Sequence, residues 1–294
     1  MGGAFARHLL AAGFKVVGYD VSSAAGRALS RLGGQTARSC AEVAARTRIL
    51  ITSLPSPAAM EEAYFGKQGI AAGARPGTIV IEASTMTLEL KEGLRRRLAR
   101  RGVQLLDCPV SGTGAQAAAK DIAIYASGDR RAFNRCRKVF DGFARSTYYC
   151  GKFGIGSKLK FVANLLVTIH NLSTAEAMVV GEKAGIDLGL LYRVIADGAG
   201  SSRMFQVRGP MMVRGHYLPP HMKSKIYQKD IDIIRAFVRR LKCPTPLFDC
   251  SLPYYTAALR QGWSLHDTAA IHSVLRKRAG LRGKPRRSIT RKGR

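Results

Sequence analysis

The stretch that decides the fold is Gly154-Ile-Gly-Ser-Lys-Leu-Lys160-Phe-Val-Ala-Asn164, because the character of the chain changes there. Two glycines interrupt the chain, and a long helical pattern over residues 157–184 then begins. Lys160 and Asn164 are four residues apart, so a helix places the ammonium and the amide on one face. A lysine on such a face can exchange a proton with a hydroxyl or carbonyl oxygen, although a lysine one turn into a helix is more often simply solvated.

The two halves of the chain differ in periodicity. Before the glycines, short β-branched runs alternate with amphipathic segments, which predicts an α/β domain with a parallel, doubly wound sheet over residues 1–152. After them the pattern predicts an all-helical domain over residues 153–276, followed by a basic tail at 277–294. Strands are expected at 14–20, 48–54, 77–83, 104–108 and 121–126. Helices are expected at 3–12, 23–32, 40–46, 57–64, 88–101, 157–184, 188–197, 223–242 and 250–261.

Length and composition indicate an ordinary globular protein. The 294 residues, 46% of them hydrophobic and 23% charged, are enough for two domains with their own cores. No apolar run reaches the roughly 18 residues of a membrane span, and no export signal is recognised. The six cysteines and six histidines show no metal-ligand spacing. We therefore expect free thiols, a cytoplasmic location, no metal site and no membrane partner. His170 and His272 are interpreted as packing residues.

The formal net charge of +29 is unusual. Ten lysines and arginines and no acidic residue lie between Arg276 and Arg294, which predicts a disordered basic tail. Such a charge attracts anionic substrates, and it could attract nucleic acid. The tail has no aromatic residue to stack on bases, so a nucleic-acid partner is possible but not favoured.

The first residues match part of a dinucleotide-binding turn. In such folds a glycine-rich turn precedes a helix, and an acid about 20 residues later binds the ribose. Gly2 fits the third glycine, which permits close packing of helix on strand, and Asp20 fits the acid. The first two glycines and their strand have no counterpart. We therefore expect about ten residues, including a central strand, to be missing, and the chain as written to bind NAD poorly.

Asp20 also bears on the choice of cofactor. A carboxylate there accepts hydrogen bonds from a ribose diol and repels a 2′-phosphate, and the next residues, 21–23, include no arginine. NAD is therefore favoured over NADP. Leu54 ends the expected strand 48–54, and Pro55 and Thr85 come just after expected strands, so all three are expected at the carboxyl edge of the sheet, where the cofactor crosses.

Four motifs in this order resemble those of the β-hydroxyacid dehydrogenases, the family of 3-hydroxyisobutyrate dehydrogenase, tartronate semialdehyde reductase and glyoxylate/succinic semialdehyde reductases. The opening helix is similar to the end of the family's GLGxMGxxMAxxL. Residues 107–112 are similar to DxPVSGG, 156–164 resemble GxxxKxxNN, and 229–230 resemble the start of KDL. The resemblance covers residues 1 to about 276. It implies a Rossmann domain, a long linking helix and an all-helical C-terminal domain.

The resemblance implies a hydride transfer between NAD and a small 3-hydroxy acid or its semialdehyde, catalysed by a homodimer or homotetramer. Lys160 would be the general acid/base, and Asn164 would orient the same oxygen. Lys229 would contact the cofactor, and Asp230 is as compatible with a structural role as with a site role. The expected contacts to the substrate carboxylate are Ser111, Gly112 and Thr113.

The chain departs from the family pattern at five positions. Thr113 replaces the second glycine of SGG, Gln116 and Lys120 stand where glycines are usual, and Ala163 replaces the first asparagine after the lysine. Met222 stands where a phenylalanine before KDL is common. These departures put the substrate in doubt more than the chemistry.

Other functions compete with the dehydrogenase interpretation. One alternative is a non-catalytic scaffold that uses this fold to bind nucleic acid, but a scaffold has no need of Lys160. Imine reductases generally carry another residue at that position. The 6-phosphogluconate dehydrogenases have a longer helical domain.

Overall fold

The computed structural model describes residues 1–283 and 285, which divide into two compact units. The first unit is Met1–Lys160 and the second is Phe161–Arg294. The division lies eight residues beyond the boundary expected after residue 152. The last helix continues to Arg278, two residues into the segment expected to be a tail, and most of that expected tail lies outside the described residues.

The first unit alternates strands and helices, as expected for an α/β domain. Its elements are α1 (Gly2–Ala11), β1 (Val17–Gly18), α2 (Ser23–Arg31), β2 (Gln35–Thr36), α3 (Cys40–Arg46), β3 (Ile49–Thr52), α4 (Pro57–Phe65), α5 (Ile70–Gly73), β4 (Ile79–Glu82), α6 (Leu88–Ala99), β5 (Gln104–Asp107), β6 (Val110–Ser111), α7 (Gly114–Ala118), β7 (Ala123–Ala126), α8 (Arg130–Phe143) and β8 (Ser146–Tyr149).

The strands pair mostly in parallel. Strand β4 lies between β3 and β5, with Ile81 opposite Ile51 and Leu106. Strands β1 and β2 form a separate parallel pair, so only Val17–Gly18 of the expected strand 14–20 is paired. The third sheet has the order β6-β7-β8.

One pair of strands corrects the prediction of a wholly parallel arrangement. Strand β6 pairs with β7 in the antiparallel sense, while β7 and β8 are parallel. Residues 112–122, which connect β6 to β7 and contain only the short helix α7, are fewer than the dozen or more that a parallel crossover needs. An antiparallel bridge between Asp107 and Ser127 connects the end of β5 to the residue that follows β7.

Strand β4 is buried on both faces, and its residues alternate between two apolar cores. Ile79 and Ile81 face a core that includes residues of α1 and α8. Val80 faces the other core, which includes residues of α3, α4, α5 and α6. Helices therefore cover both faces of the strands, and the predicted doubly wound α/β class is confirmed.

Helix α9 (Ile155–Lys183) contributes residues 155–160 to the first unit and continues into the second. The remaining elements are α10 (Leu188–Asp197), α11 (Arg203–Arg214), α12 (Ser224–Arg240), α13 (Pro246–Arg260), a 3₁₀ turn (Thr268–Ala270) and α14 (Ile271–Arg278). The second unit contains no strand within its described residues. A helix with both the length and the apolar character needed to cross a membrane does not occur in the described part of the chain.

Polar side chains hold α9 inside the second unit. The Asn171 amide donates to the Tyr255 hydroxyl and to the Thr268 carbonyl, each at 3.0 Å. Burial raises the pKa of Tyr255 to about 12, so its hydroxyl stays protonated and can donate to the Thr168 carbonyl at 2.9 Å. Arg276 and Glu182 form a buried bidentate ion pair at 2.7 and 2.8 Å.

His272 is fully buried in this unit. Its Nδ1 is 3.0 Å from the Tyr217 hydroxyl. Burial, reinforced by the positive charge of Arg276, lowers the pKa of His272 from 6.5 to about 4.

His272 is predicted to make folding sensitive to acid. Between pH 6.5 and about 4 the unfolded chain binds a proton that the folded chain does not, so stability falls as the pH falls through this window. His272→Asn should lessen that fall by up to about 3 kcal/mol, measured by denaturant unfolding at pH 7 and pH 4. The matched control is His216→Asn, because His216 is exposed. Equal slopes in the His272 variant and the parent would contradict the prediction.

Candidate active site

The carboxyl edge of the first unit brings together two of the expected cofactor segments. The backbone N–H of Leu54, after β3, donates to the Ser84 hydroxyl, after β4, at 2.8 Å. The N–H of Ser84 donates to the Glu82 carboxylate at 2.9 Å. Pro55 and Thr85 are the next residues of these two loops. The loops after neighbouring parallel strands therefore meet where the strand pattern predicted.

Asp20 and Gly2 lie at the ends of their own elements. The Asp20 carboxylate accepts a hydrogen bond from the Ser22 N–H at 2.8 Å through one oxygen, and the side chain is exposed. Gly2 begins α1, and a Cβ built on it or on Gly3 would meet nothing within 4 Å. Close packing of the helix on a strand was the expected reason for a glycine at position 2. No described residue packs against Gly2 in this way.

The residues present fit a dinucleotide. Helix α1 has two glycines and no acidic residue in its first turn, with open space beside both glycines. A helix N-terminus of this kind attracts a pyrophosphate, and Asp20 has an oxygen left for a ribose hydroxyl.

The expected substrate loop follows β6. Gly112 has φ +138°, and a Cβ there would lie 2.7 Å from the Ile122 side chain, so this position requires glycine. Ser111 is the last residue of β6, and Thr113 is the N-cap of α7. The three expected carboxylate contacts are therefore consecutive in one tight turn.

Two of the departures from the family pattern form one structural unit. The Thr113 hydroxyl accepts from the Gln116 N–H at 3.3 Å, and the Gln116 side-chain oxygen accepts from the Thr113 N–H at 3.0 Å. This reciprocal pair is a capping box. Gln116 also donates to Asp121, which pairs with Arg145 at 2.9 Å. The spacing Thr-x-x-Gln could have predicted this motif from the sequence.

Lys120 occupies a glycine-like backbone conformation. Its φ is +58°, in the left-handed region that glycine adopts more readily than other residues. This conformation explains why the family usually has glycine at this position. The backbone of the turn keeps the same conformation with a lysine there.

A buried ion cluster lies beneath this edge, and the sequence did not predict it. The Lys91 ammonium is 2.7 Å from the Glu82 carboxylate and 2.8 Å from that of Asp107, and all three side chains are fully buried. Burial by itself lowers the pKa of an ammonium, but the carboxylates of Asp107 and Glu82 raise the pKa of Lys91 above its ordinary value. The lysine therefore stays charged and joins the ends of β4 and β5.

Asp107 also holds the first turn of α9. Its carboxylate accepts from the Ser157 hydroxyl at 2.7 Å and from the Ser157 N–H at 2.8 Å. The Ser127 hydroxyl donates to the same carboxylate and accepts from the Gly156 N–H at 3.0 Å. A Cβ on Gly156 would lie 2.1 Å from the Tyr125 carbonyl, so only glycine permits this approach. The buried Lys160 lies three residues after Ser157 on the same helix.

The second unit gathers the other predicted residues. The buried Asn164 amide donates to the Asp230 carboxylate at 3.1 Å, and the Lys229 ammonium lies 3.0 Å from the same carboxylate. The backbone carbonyl of Asn164 accepts from the hydroxyls of Thr168 and Tyr227 at 2.8 and 3.0 Å. Asp230 therefore orients the Asn164 amide.

Comparison with known proteins identifies the family. Residues 1–151 match the model described as the NAD binding domain of 6-phosphogluconate dehydrogenase. Residues 154–275 match the model described as NAD-binding of NADP-dependent 3-hydroxyisobutyrate dehydrogenase. The chain belongs to the β-hydroxyacid dehydrogenase family. As a member of this family it is an oxidoreductase that acts on a CH–OH group with NAD as its cofactor.

Individual relatives agree with this assignment. The L-threonate dehydrogenase of Cupriavidus necator is 34% identical over 93% of this chain and 92% of its own length. The NAD-dependent L-serine dehydrogenase of Pseudomonas aeruginosa is 26% identical over 93% of this chain and 94% of its own. The crystal structure of 3-hydroxyisobutyrate dehydrogenase from Salmonella typhimurium has a TM-score of 0.85 at 30% identity, covering 93% of this chain and 95% of that one.

The buried cluster yields a prediction about stability. Lys91→Met leaves Glu82 and Asp107 as two buried carboxylates without a counter-charge, so it should destabilise the fold by about 3–5 kcal/mol at pH 7. Denaturant unfolding measures the loss, and Lys67→Met, at an exposed lysine, is the control. A loss below about 1 kcal/mol would contradict the role given to Lys91.

Proposed function

We propose that this dehydrogenase oxidises a small 3-hydroxy acid, with L-threonate as the first substrate to test, and that Lys160 is its general acid/base. The observation that carries the proposal is the position of Lys160 and Asn164, one turn apart on α9. The first turn of this helix is held by Asp107, and the amide is oriented by Asp230. A proton-transfer group and an oxygen-orienting amide on one helix face are what this oxidation requires.

The chain's own residues perform the proton transfer. Lys160 takes the proton of the substrate hydroxyl during oxidation and returns it to the carbonyl oxygen during reduction. One amide hydrogen of Asn164 donates to Asp230, which leaves the second to donate to the substrate oxygen. NAD, when bound, accepts the hydride.

The turn after β6 is proposed to bind the substrate carboxylate. The Thr113 N–H already donates to the Gln116 side chain, so it is not proposed as a contact to the substrate. The proposed contacts are the Ser111 hydroxyl, the Gly112 N–H and the Thr113 hydroxyl. The Thr113 oxygen accepts from Gln116, which leaves its own hydrogen available for a substrate oxygen. A donor of this kind suits a polyhydroxy acid such as L-threonate, and the relatives that act on L-threonate support this choice.

The cofactor contacts are also proposed. Asp20 binds the ribose diol, Gly2 belongs to the helix start that receives the pyrophosphate, and the loops of residues 54–55 and 85 lie along the cofactor. Lys229 is the proposed cofactor contact in the second unit, with its ammonium held against Asp230.

Two further features are proposed for the whole protein. The family resemblance supports a homodimer or homotetramer, and the six free thiols support a cytoplasmic location. A non-catalytic scaffold is disfavoured, because it would not need Lys160 or the oriented Asn164 amide.

Lys160→Ala should lower kcat for L-threonate oxidation by at least about 10²-fold, the usual contribution of positioned proton transfer. NAD affinity and the melting temperature should stay near those of the parent. Lys158→Ala is the matched control, because Lys158 is an exposed lysine two residues earlier on α9. A kcat for Lys160→Ala within a few-fold of the parent would rule out the assignment.

Asp20→Ala should narrow the preference for NAD over NADP, because it removes a charge that repels the 2′-phosphate. The readout is kcat/KM with each cofactor. Asp20→Asn separates charge from local structure, since an amide oxygen can still accept from the Ser22 N–H. If both variants keep the parental ratio, Asp20 does not contact the ribose.

A further inference from the structure

We propose that the second unit carries a separate site for a small organic molecule with two or more phosphate groups. The site is a cleft lined by α12, α13 and the end of α14. Four arginines line it, Arg235, Arg239, Arg260 and Arg278, and we call it the arginine cleft. The dehydrogenase reaction requires no such site, so this proposal is independent of the proposed function.

The arginine cleft has the size of a ligand site. Its volume is about 780 Å³, within the range that pockets for small molecules occupy. It is distinct from the cluster at Asp230 on the same helix. Arg235 and Arg239 lie five and nine residues after Asp230, about 7.5 and 13.5 Å along the helix axis.

The described residues supply little negative charge to the cleft. Its lining includes a single carboxylate, Asp249, which accepts a hydrogen bond from the Thr245 hydroxyl at 3.2 Å. No described residue forms an ion pair with Arg235, Arg239 or Arg260. Arg278 lies 4.5 Å from the centre of the Tyr254 ring.

Two buried arginines of the second unit are paired with acids, whereas all four arginines of the cleft are exposed. Arg208 pairs with Asp267 and Arg276 with Glu182. By contrast, Arg235 and Arg239 are like charges four residues apart on one helix face, an arrangement that destabilises a helix. An anion bound between them would remove that repulsion.

The lining indicates the class of ligand. Planar guanidinium groups bind phosphate oxygens in pairs, and four of them suit more than one phosphate. Val238, Leu252, Pro253 and Ala257 add apolar surface to the same cleft, which suits an organic body attached to the phosphates. A phosphorylated small molecule meets both requirements.

The experiment titrates the full chain, saturated with NAD, with ADP and with inorganic triphosphate by calorimetry. Saturating NAD keeps both probes out of the cofactor site. We expect one saturable site, with Kd raised at least about tenfold in Arg235→Gln/Arg239→Gln, because hydrogen bonds to charged groups are the strong ones. ADP should bind more tightly than inorganic triphosphate although it has one phosphate fewer, because its organic body covers the apolar surface.

The control is Arg131→Gln/Arg137→Gln, which removes the same charge from exposed positions of α8. If both double variants weaken binding equally, the effect is general attraction to a basic protein and the proposal is wrong. The absence of saturable binding would overturn it as well. A third result would also overturn the proposal: a single-stranded oligonucleotide binds the parent more tightly than either probe and loses that affinity in the cleft variant. The cleft would then be a nucleic-acid surface.

Discussion

The buried ion cluster of Lys91 with Glu82 and Asp107 is the interaction on which the rest of the site depends. It joins the ends of β4 and β5 beneath the edge where the cofactor loops begin. The Asp107 carboxylate that accepts from Lys91 also accepts twice from Ser157, in the first turn of α9. Burying three charges is costly, and apolar residues could fill the same volume more cheaply. The arrangement is explained by what it positions, because apolar side chains could not hold the start of the helix that carries Lys160.

Each unit uses a buried carboxylate to orient a group of the proposed reaction. In the first unit Asp107 holds the helix start that precedes Lys160, and in the second Asp230 holds the Asn164 amide. The substrate loop uses neutral groups instead. Its capping box between Thr113 and Gln116 replaces glycines that are usual in the family, so this chain builds the turn with side-chain hydrogen bonds.

Local patterns predicted most of the fold. The helices at 40–46 and 188–197 have the predicted bounds, and Lys160 and Asn164 lie on one helix as expected. Helix α8 was missed although its buried residues follow a helical period and Asp129 caps its start. Helix α11 was also missed, although Ser202 caps its start; its interior contains Pro210, at a position where proline is disfavoured. Lys91 could not have been predicted, because a lysine next to Glu92 on a helix suggests a solvated residue. Its partners come from two strands that only the folded sheet brings together.

The most direct test of this dependence is a double-mutant cycle on kcat that combines Ser157→Ala with Lys160→Ala. Ser157→Ala removes the hydroxyl contact to Asp107 while the backbone N–H contact remains, so the fold should persist. If Asp107 acts on catalysis through the position of Lys160, Ser157→Ala lowers kcat in the parent and has no further effect once Lys160 is alanine. Equal losses of kcat from Ser157→Ala in both backgrounds would show that the buried cluster and Lys160 act independently, contrary to the mechanism described above.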